Sequence, residues 1–201
     1  MHHKAHEKHL IALSKRTDIL RSGDLERHHI PRIMLTRLLR KNMLEKIARG
    51  LYRLPDAFIS ENDSMVTIAL KTPKAIFCLL TALQFHEITT QMPRQVWLAM
   101  PRGSHTPKIK YPPVKMIQFS DRAYSHGIDI IKQGKNSFKI YSVAKTIADC
   151  FKHRNKIGLD IALEALKDAL KKRKVTRDEL FYYAKINRVA KIMRPYLEAI
   201  E

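Results

Sequence analysis

Residues 30–55, IPRIMLTRLLRKNMLEKIARGLYRLP, constrain the fold of this chain most, because they read as one amphipathic helix followed at once by a tight, arginine-tipped hairpin. Pro31 suits a first helical turn, where its missing N–H would be unpaired anyway, and it opens a helix of about 11 residues. Leu35, Leu38 and Leu39 recur at helical spacing and face a core. On the other side Arg32, Thr36 and Arg40 follow at i, i+4 and i+8, with Ile33, Arg37 and Lys41 beside them, so that face presents cations and one hydroxyl. Two short apolar runs, 44–47 and 51–54, then flank Ala48-Arg49-Gly50. Gly50 supplies a positive φ there, and Arg49 and Arg53 are placed to reach a phosphate backbone or minor groove. The alternative is a solvated amphipathic helix with a purely structural hairpin.

Upstream residues favour the first reading. Residues 10–13 with Ile19 and Leu20 supply a first helix. Ser22 is placed to cap a short second helix ending near His28, with Asp24 and Glu26 in its first turn, where the helix dipole favours anions. A His29-Ile30 turn leads into Pro31. Helix, short helix, tight turn, basic helix and basic hairpin is the order of a winged helix-turn-helix, in which the later helix reads a DNA groove. Residues 1–60 are the expected extent of this DNA-binding domain. At the turn, His28 and His29 are open to two readings, a phosphate contact or plain solvent exposure.

Charge agrees with that assignment. Among 201 residues, 38 Lys and Arg stand against 19 Asp and Glu, a net charge of +19. A chain this basic seeks polyanions. Residues 1–60 hold 13 basic and 6 acidic side chains, a net of +7, so the remaining +12 lies distally, as a lysine-rich surface or as a second nucleic-acid contact. No apolar run approaches the roughly 18 residues of a membrane span, and the N-terminus MHHKAHEKHL has no apolar signal core. The only cysteines, Cys78 and Cys150, sit in apolar segments and read as buried free thiols of a reducing cytoplasm rather than a disulfide.

Residues 55–64, PDAFISENDS, form a polar connector, and 65–70 extend it as a short helix or strand. Thr72 is placed to cap a helix opened by Pro73, with Ala75, Ile76, Leu79, Leu80 and Leu83 as its apolar side. Strand-like runs follow at 96–100, 114–119, 128–131 and 138–141, the last two around a turn at 133–136, and make a sheet of about four strands. Ser142 caps a helix over 143–152, and Gly158 precedes another over 159–170. Thr176-Arg177-Asp178-Glu179 has capping-box spacing ahead of a helix to Ala184, and a last helix over 188–200 must be interrupted or kinked at Pro195. The expected class is therefore α+β: an N-terminal winged helix-turn-helix, then a mixed sheet-and-helix domain over 61–201 ending in a small helical bundle.

Patterns of enzyme chemistry are weak. His2, His3, His6 and His9 make a histidine-rich end, but the His-Glu-any-any-His zinc pattern is missing and a frayed terminus accounts for it. Asp149 stands four residues from Lys145, so an i, i+4 pair explains it without catalysis. Lys171-Lys172-Arg173-Lys174 is a charge run at a helix end, where cations favour the dipole, with a nucleic-acid patch as the alternative. No Gly-rich phosphate loop or nucleophile elbow occurs. The reading is of no catalytic residues, no metal site and no cofactor.

The wing ending ARGLYRLP, then TPKAIFCLLTALQFHEITTQMPRQVWLAMPRG, then GIDIIKQGKNSFKIYSVAKTIADCFKHRNKIGLDIALEAL, resemble the AbiEi antitoxins of type IV toxin–antitoxin systems. The Arg-Gly-aliphatic-Tyr tip, the Ala-Leu-any-any-His of residues 82–86 and the helix holding Asp149 carry the likeness, which runs over nearly the whole chain. It implies a cytoplasmic bacterial protein whose winged helix represses its own operon and whose distal domain counteracts a nucleotidyltransferase-like toxin in phage defence by abortive infection. The chain itself does not look like the toxin, because Gly103-Ser104 is not followed by the paired carboxylates that hold that enzyme's metals. Carried onto this sequence, the DNA-contacting residues are Arg32, Thr36, Arg37, Arg40, Lys41, Arg49 and Arg53. The partner is double-stranded operator DNA with inverted repeats, bound as two copies. Two alternatives stand beside this: a ligand-responsive winged-helix transcription factor, and an enzyme acting on nucleic acid.

Overall fold

The computed structural model describes residues 2–57 and 60–200, with side chains from Ala5 onward. Residues 58 and 59, inside the 55–64 connector, lie outside the described residues, as do the side chains of His2 and His3. The chain forms two compact units. One comprises residues up to Lys71 together with Lys132–Phe138, the other Thr72–Ile131 together with the chain from Lys139.

The first unit opens with α1 (His2–Thr17), so the N-terminal end is helical rather than frayed. Ile19 and Leu20 do not continue that helix as the apolar pattern suggests. Asp18 takes a left-handed φ of 58°, which ends α1, and Leu20 enters β1 (Leu20–Arg21). Next come α2 (Asp24–Arg27), α3 (Ile33–Arg40), β2 (Glu45–Ala48), β3 (Leu51–Arg53) and α4 (Asp63–Lys71). Ser22 does not cap α2: Gly23 holds the cap position without a side-chain bond, and the Ser22 N–H donates instead to the Gly50 carbonyl at 2.8 Å. The basic helix is shorter than its pattern predicts. The N–H groups of Met34 and Leu35 bond to the carbonyls of Pro31 and Arg32, three residues back, so the entry is a tight turn and regular α-helix begins at Ile33. Leu10, Leu20, Leu25, Met34 and Leu38 are fully buried together.

The wing is a sheet in the order β1-β3-β2. Leu20 pairs with Tyr52 and Glu45 with Arg53, both antiparallel, with a register shift between Lys46 and Ala48. Arg49-Gly50 makes the connection, and Gly50 has a φ of +77°. Such a two-residue hairpin needs a left-handed residue, which glycine supplies without a Cβ penalty. Residues 132–138 complete the unit: the Lys135 N–H donates to the Asp18 carboxylate at 2.8 Å and the Asn136 amide to the Thr17 carbonyl at 3.1 Å.

The second unit contains β4 (Ile76–Phe77), α5 (Leu79–Phe85), β5 (Val96–Pro101), β6 (Val114–Phe119) and α6 (Asp121–Ser125). It continues with β7 (Ile128–Gln133) and β8 (Asn136–Tyr141), whose facing ends within 132–138 belong to the first unit, and with the helices α7 (Val143–Lys152), α8 (Arg154–Ile157), α9 (Leu159–Lys171), α10 (Arg177–Ile186) and α11 (Ala190–Ala199). The sheet has five strands, in the order β6-β5-β4-β8-β7, where about four were expected. The extra strand is β4. No helix starts at Thr72: the Ala75 N–H closes a turn on the Thr72 carbonyl, β4 pairs antiparallel with β5 and parallel with β8, and helix begins only at Leu79. A central strand covered on both faces is apolar throughout, so periodicity cannot separate it from a buried helix.

The other helices follow their signals. Ser142 accepts from the Lys145 N–H as the α7 cap, and Thr176 and Glu179 make the full reciprocal box at α10. Helix α11 runs on through Pro195 rather than breaking. Ala162, Ala165, Leu166 and Ala169 of α9 are fully buried in the core that the helix shares with α7. The α+β class holds, with a winged helix-turn-helix followed by sheet and helices.

Candidate nucleic-acid interface

Helix α3 sorts its side chains by the helical period. Met34, Leu35 and Leu38 are buried and Leu39 is half-buried, which ties the helix to the core. Arg32, Ile33, Thr36, Arg40 and Lys41 are exposed, and Arg37 is half-buried. Two of the cations are held by nearby carboxylates, Arg32 by Glu26 at 2.5 Å and Lys41 by Glu7 at 2.7 Å. Arg32 and Glu26 both stand in water, and such pairs contribute only about 0–1 kcal/mol, so an incoming phosphate can displace Glu26 at little cost. Among the described residues Arg37, Arg40 and Arg49 take part in no salt bridge. Arg49 is exposed at the wing tip.

Arg53 behaves differently. Its guanidinium contacts the Glu45 carboxylate across the hairpin and the Asp63 carboxylate at 3.0 Å, and its side chain is only 16% exposed. Asp63 also accepts from the Ser60 N–H at 3.1 Å at the start of α4. Arg53 therefore ties β3 to β2 and to α4, with its donors directed inward. One exposed wing cation escaped the sequence reading: Lys46, opposite Tyr52. Strand alternation, which puts residue 46 on the solvent side, was the signal that could have found it. His28 and His29 are both exposed at the turn, with the His28 ring edge-on to His9 at 5.6 Å.

In the second unit His86, from the Ala-Leu-any-any-His stretch, and Lys145, the partner of Asp149, both reach Tyr141. The His86 Nε2 lies 2.7 Å from the Tyr141 carbonyl. The Lys145 ammonium lies 4.0 Å from the Tyr141 ring centre and 2.6 Å from each Asp149 oxygen, and the Asn187 amide donates to Asp149 at 2.7 Å. Lys145 and Asp149 are both 0% exposed. Burial pushes the Asp149 carboxyl above its usual range, while the Lys145 ammonium and the Asn187 amide pull it back. Gly127 makes room for this cluster: a Cβ there would lie 2.7 Å from the Lys145 Cβ. With no solvent access the pair cannot meet a substrate. Its geometry is that of a structural ion pair with its hydrogen bonds largely met inside the protein.

The remaining candidates are similarly accounted for. Cys78 and Cys150 are free and buried, and burial raises both thiols well above their ordinary value, which makes them poor nucleophiles. In the 171–174 run, Lys172 bonds Asp168 and the Glu87 carbonyl, both at 2.7 Å, and Lys174 bonds the His86 carbonyl at 2.5 Å. Among the described residues no group of three or more His, Cys, Asp or Glu is placed to hold a metal ion, and no helix is long and apolar enough to cross a membrane.

Residues 10–55, which hold α2, α3 and the wing, match the family model described as "Transcriptional regulator, AbiEi antitoxin". The resemblance read from the sequence is thus borne out over this segment. A search of curated proteins gives no match. In fold, the chain is similar to the crystal structure of RV2827C protein from Mycobacterium tuberculosis, with a TM-score of 0.58 and 10% identity, over 98% of this chain and 82% of that one. At that identity the likeness is one of fold alone.

Proposed function

We propose that this chain is the DNA-binding antitoxin of a type IV toxin–antitoxin system, built on the regulator signature of residues 10–55. The winged helix represses the protein's own operon by binding inverted repeats as two copies. The distal part, residues 61–201, counteracts a nucleotidyltransferase-like toxin without itself being an enzyme, in the cytoplasm and in the service of phage defence. One observation carries the DNA half: Arg40, Thr36 and Arg32 share the exposed side of α3, and Arg49 is exposed at the wing tip. In helix-turn-helix proteins such a helix enters the major groove, while the wing and flanking cations hold phosphates and fix the register. Arg32, Thr36, Arg37, Arg40, Lys41 and Arg49 are the proposed contacts. Arg53, engaged by two carboxylates, serves the wing's position instead.

Salt titration of DNA binding is the direct test. Five to seven neutralised phosphates give a slope of log affinity against log salt of roughly −4 to −6, at about −0.9 per contact. A flat response refutes the proposal. The antitoxin half is tested by co-expressing the full chain with the adjacent gene and scoring growth. A combined Arg40→Ala and Arg49→Ala variant is expected to lose repression and keep rescue. Loss of both together would refute the division of labour.

A further inference from the structure

One side chain on the exposed side of α3 serves neither the core nor the ionic contacts. Ile33 is 52% exposed, although it is a large apolar residue in the first turn and its neighbours Met34 and Leu35 are buried. As a β-branched residue it adds nothing to helix propensity, and an exposed position forgoes the burial that its neighbours gain. Its surroundings define what can cover it. Arg32 precedes it, Thr36 lies one turn along on the same side, and Arg37 stands at i+4. An apolar protein surface laid over Ile33 would have to desolvate those guanidinium groups without compensation. The DNA major groove satisfies both demands: its phosphates receive the cations, and its base edges carry one apolar group, the thymine 5-methyl.

We infer that Ile33, with the methyl of Thr36 beside it, reads a thymine methyl in the major groove. This rests on the DNA-binding role of α3 and names the kind of base that one position of each half-site presents. The first turn is the right place for such a reader, because the N-terminal residues of a recognition helix approach the base edges. The arginines position the helix and make polar contacts, and Ile33 rejects bases that lack an apolar group at that point.

Replacing thymine by uracil removes the methyl and leaves every hydrogen-bonding group in place. The full-length protein is first used to select duplexes from a random-sequence pool. The selected duplex is then remade with each thymine in turn replaced by uracil. Affinities are measured at one salt concentration for the wild type and for Ile33→Ala. At one position per half-site, uracil is expected to weaken wild-type binding about fourfold, the equivalent of one buried methyl group. Ile33→Ala is expected to bind the thymine duplex more weakly, to keep the wild-type salt slope, and to lose its discrimination between thymine and uracil at that position alone. If the variant stays as sensitive to uracil as the wild type at every position, or if no single thymine matters to the wild type, the inference is overturned while DNA binding stands. If the wild type enriches no sequence and its binding ignores salt, DNA binding by α3 itself fails.

Discussion

The two units carry their charge in the same proportion and differ in the burial of their ion pairs: among the described residues every pair in the first is at least partly exposed, whereas Lys145 and Asp149 in the second are fully buried. The first has 16 basic against 8 acidic residues and the second 22 against 11. In the first, Arg32, Lys41 and Arg53 are held by carboxylates while, among the described residues, Arg37, Arg40 and Arg49 take part in no salt bridge, on a helix side and at a hairpin tip. In the second, several cations end on the protein's own oxygens: Lys145 on Asp149, Lys152 on the Asn187 carbonyl, Lys172 on Asp168, and Arg177 on the carbonyls of Leu197 and Ile200. Net charge therefore says little about where a polyanion binds. What matters is whether a cationic head is already occupied, and by what.

The sharpest way to break this contrast is to free a cation in the second unit. Asp149→Ala would leave the Lys145 ammonium buried and unpaired, at an expected cost of about 3–5 kcal/mol. A chemical-denaturation curve reads this directly, and the paired change Lys145→Met with Asp149→Leu should recover most of the loss. Wild-type stability for Asp149→Ala would show that the pair does not hold α7 in place. In the first unit, Arg37→Ala is expected to relax base preference at one operator position by about 1–3 kcal/mol. Equal losses on specific and random DNA would assign Arg37 to the phosphates instead.

The two wing arginines refine the contrast within one hairpin. Arg49→Ala should leave the melting temperature alone and make the salt slope shallower by about 0.9. Arg53→Ala should lower the melting temperature and weaken DNA binding while the slope stays unchanged, because a residue that positions the wing releases no counterions. A slope change for Arg53→Ala would make it a phosphate contact after all.

A pH dependence in the second unit tests the contrast by a different readout. Burial, then the neighbouring Lys156, Lys152 and Lys145, lowers the His153 imidazole from 6.5 to about 4. As pH falls below 6.5 the unfolded chain takes up this proton first, so it binds more protons than the folded chain and stability drops down to about pH 4. His86, also lowered chiefly by burial, acts in the same direction. Well above pH 6.5, where both imidazoles are neutral folded or unfolded, neither contributes any slope. Thermal melts across this window should fall with acid, and His153→Gln should flatten part of the fall. An unchanged pH profile for that variant would show that His153 is not the group responsible.

The residues most legible in the sequence are those whose partners are near in the chain. The reciprocal box of Thr176 and Glu179, the Ser142 cap, β6 over Val114–Phe119 and the cationic side of α3 all rest on spacings of a few residues. Lys145 and Asp149 were also legible as an i, i+4 pair. Their complete burial was not, because Asn187, which closes the site, is 38 residues away. Arg53 was misleading for the same reason: it reads as a wing-tip cation until Glu45 and Asp63, eight and ten residues off, engage it. The apolar run 75–80 held too little polarity to reveal its period, so only pairing with β5 and β8 made Ile76–Phe77 a strand.

By itself the sequence determined the α+β class, the winged helix-turn-helix order, the side of α3 that bears cations and most helix starts. Each of these follows from the 3.6-residue or 2-residue period, or from a cap within one turn, and so depends on free energies that act locally. Tertiary structure alone decided which charges remain available to a ligand and which are spent inside the protein. Occupancy of that kind depends on desolvation and on partners brought from far along the chain, and neither leaves a trace in local spacing.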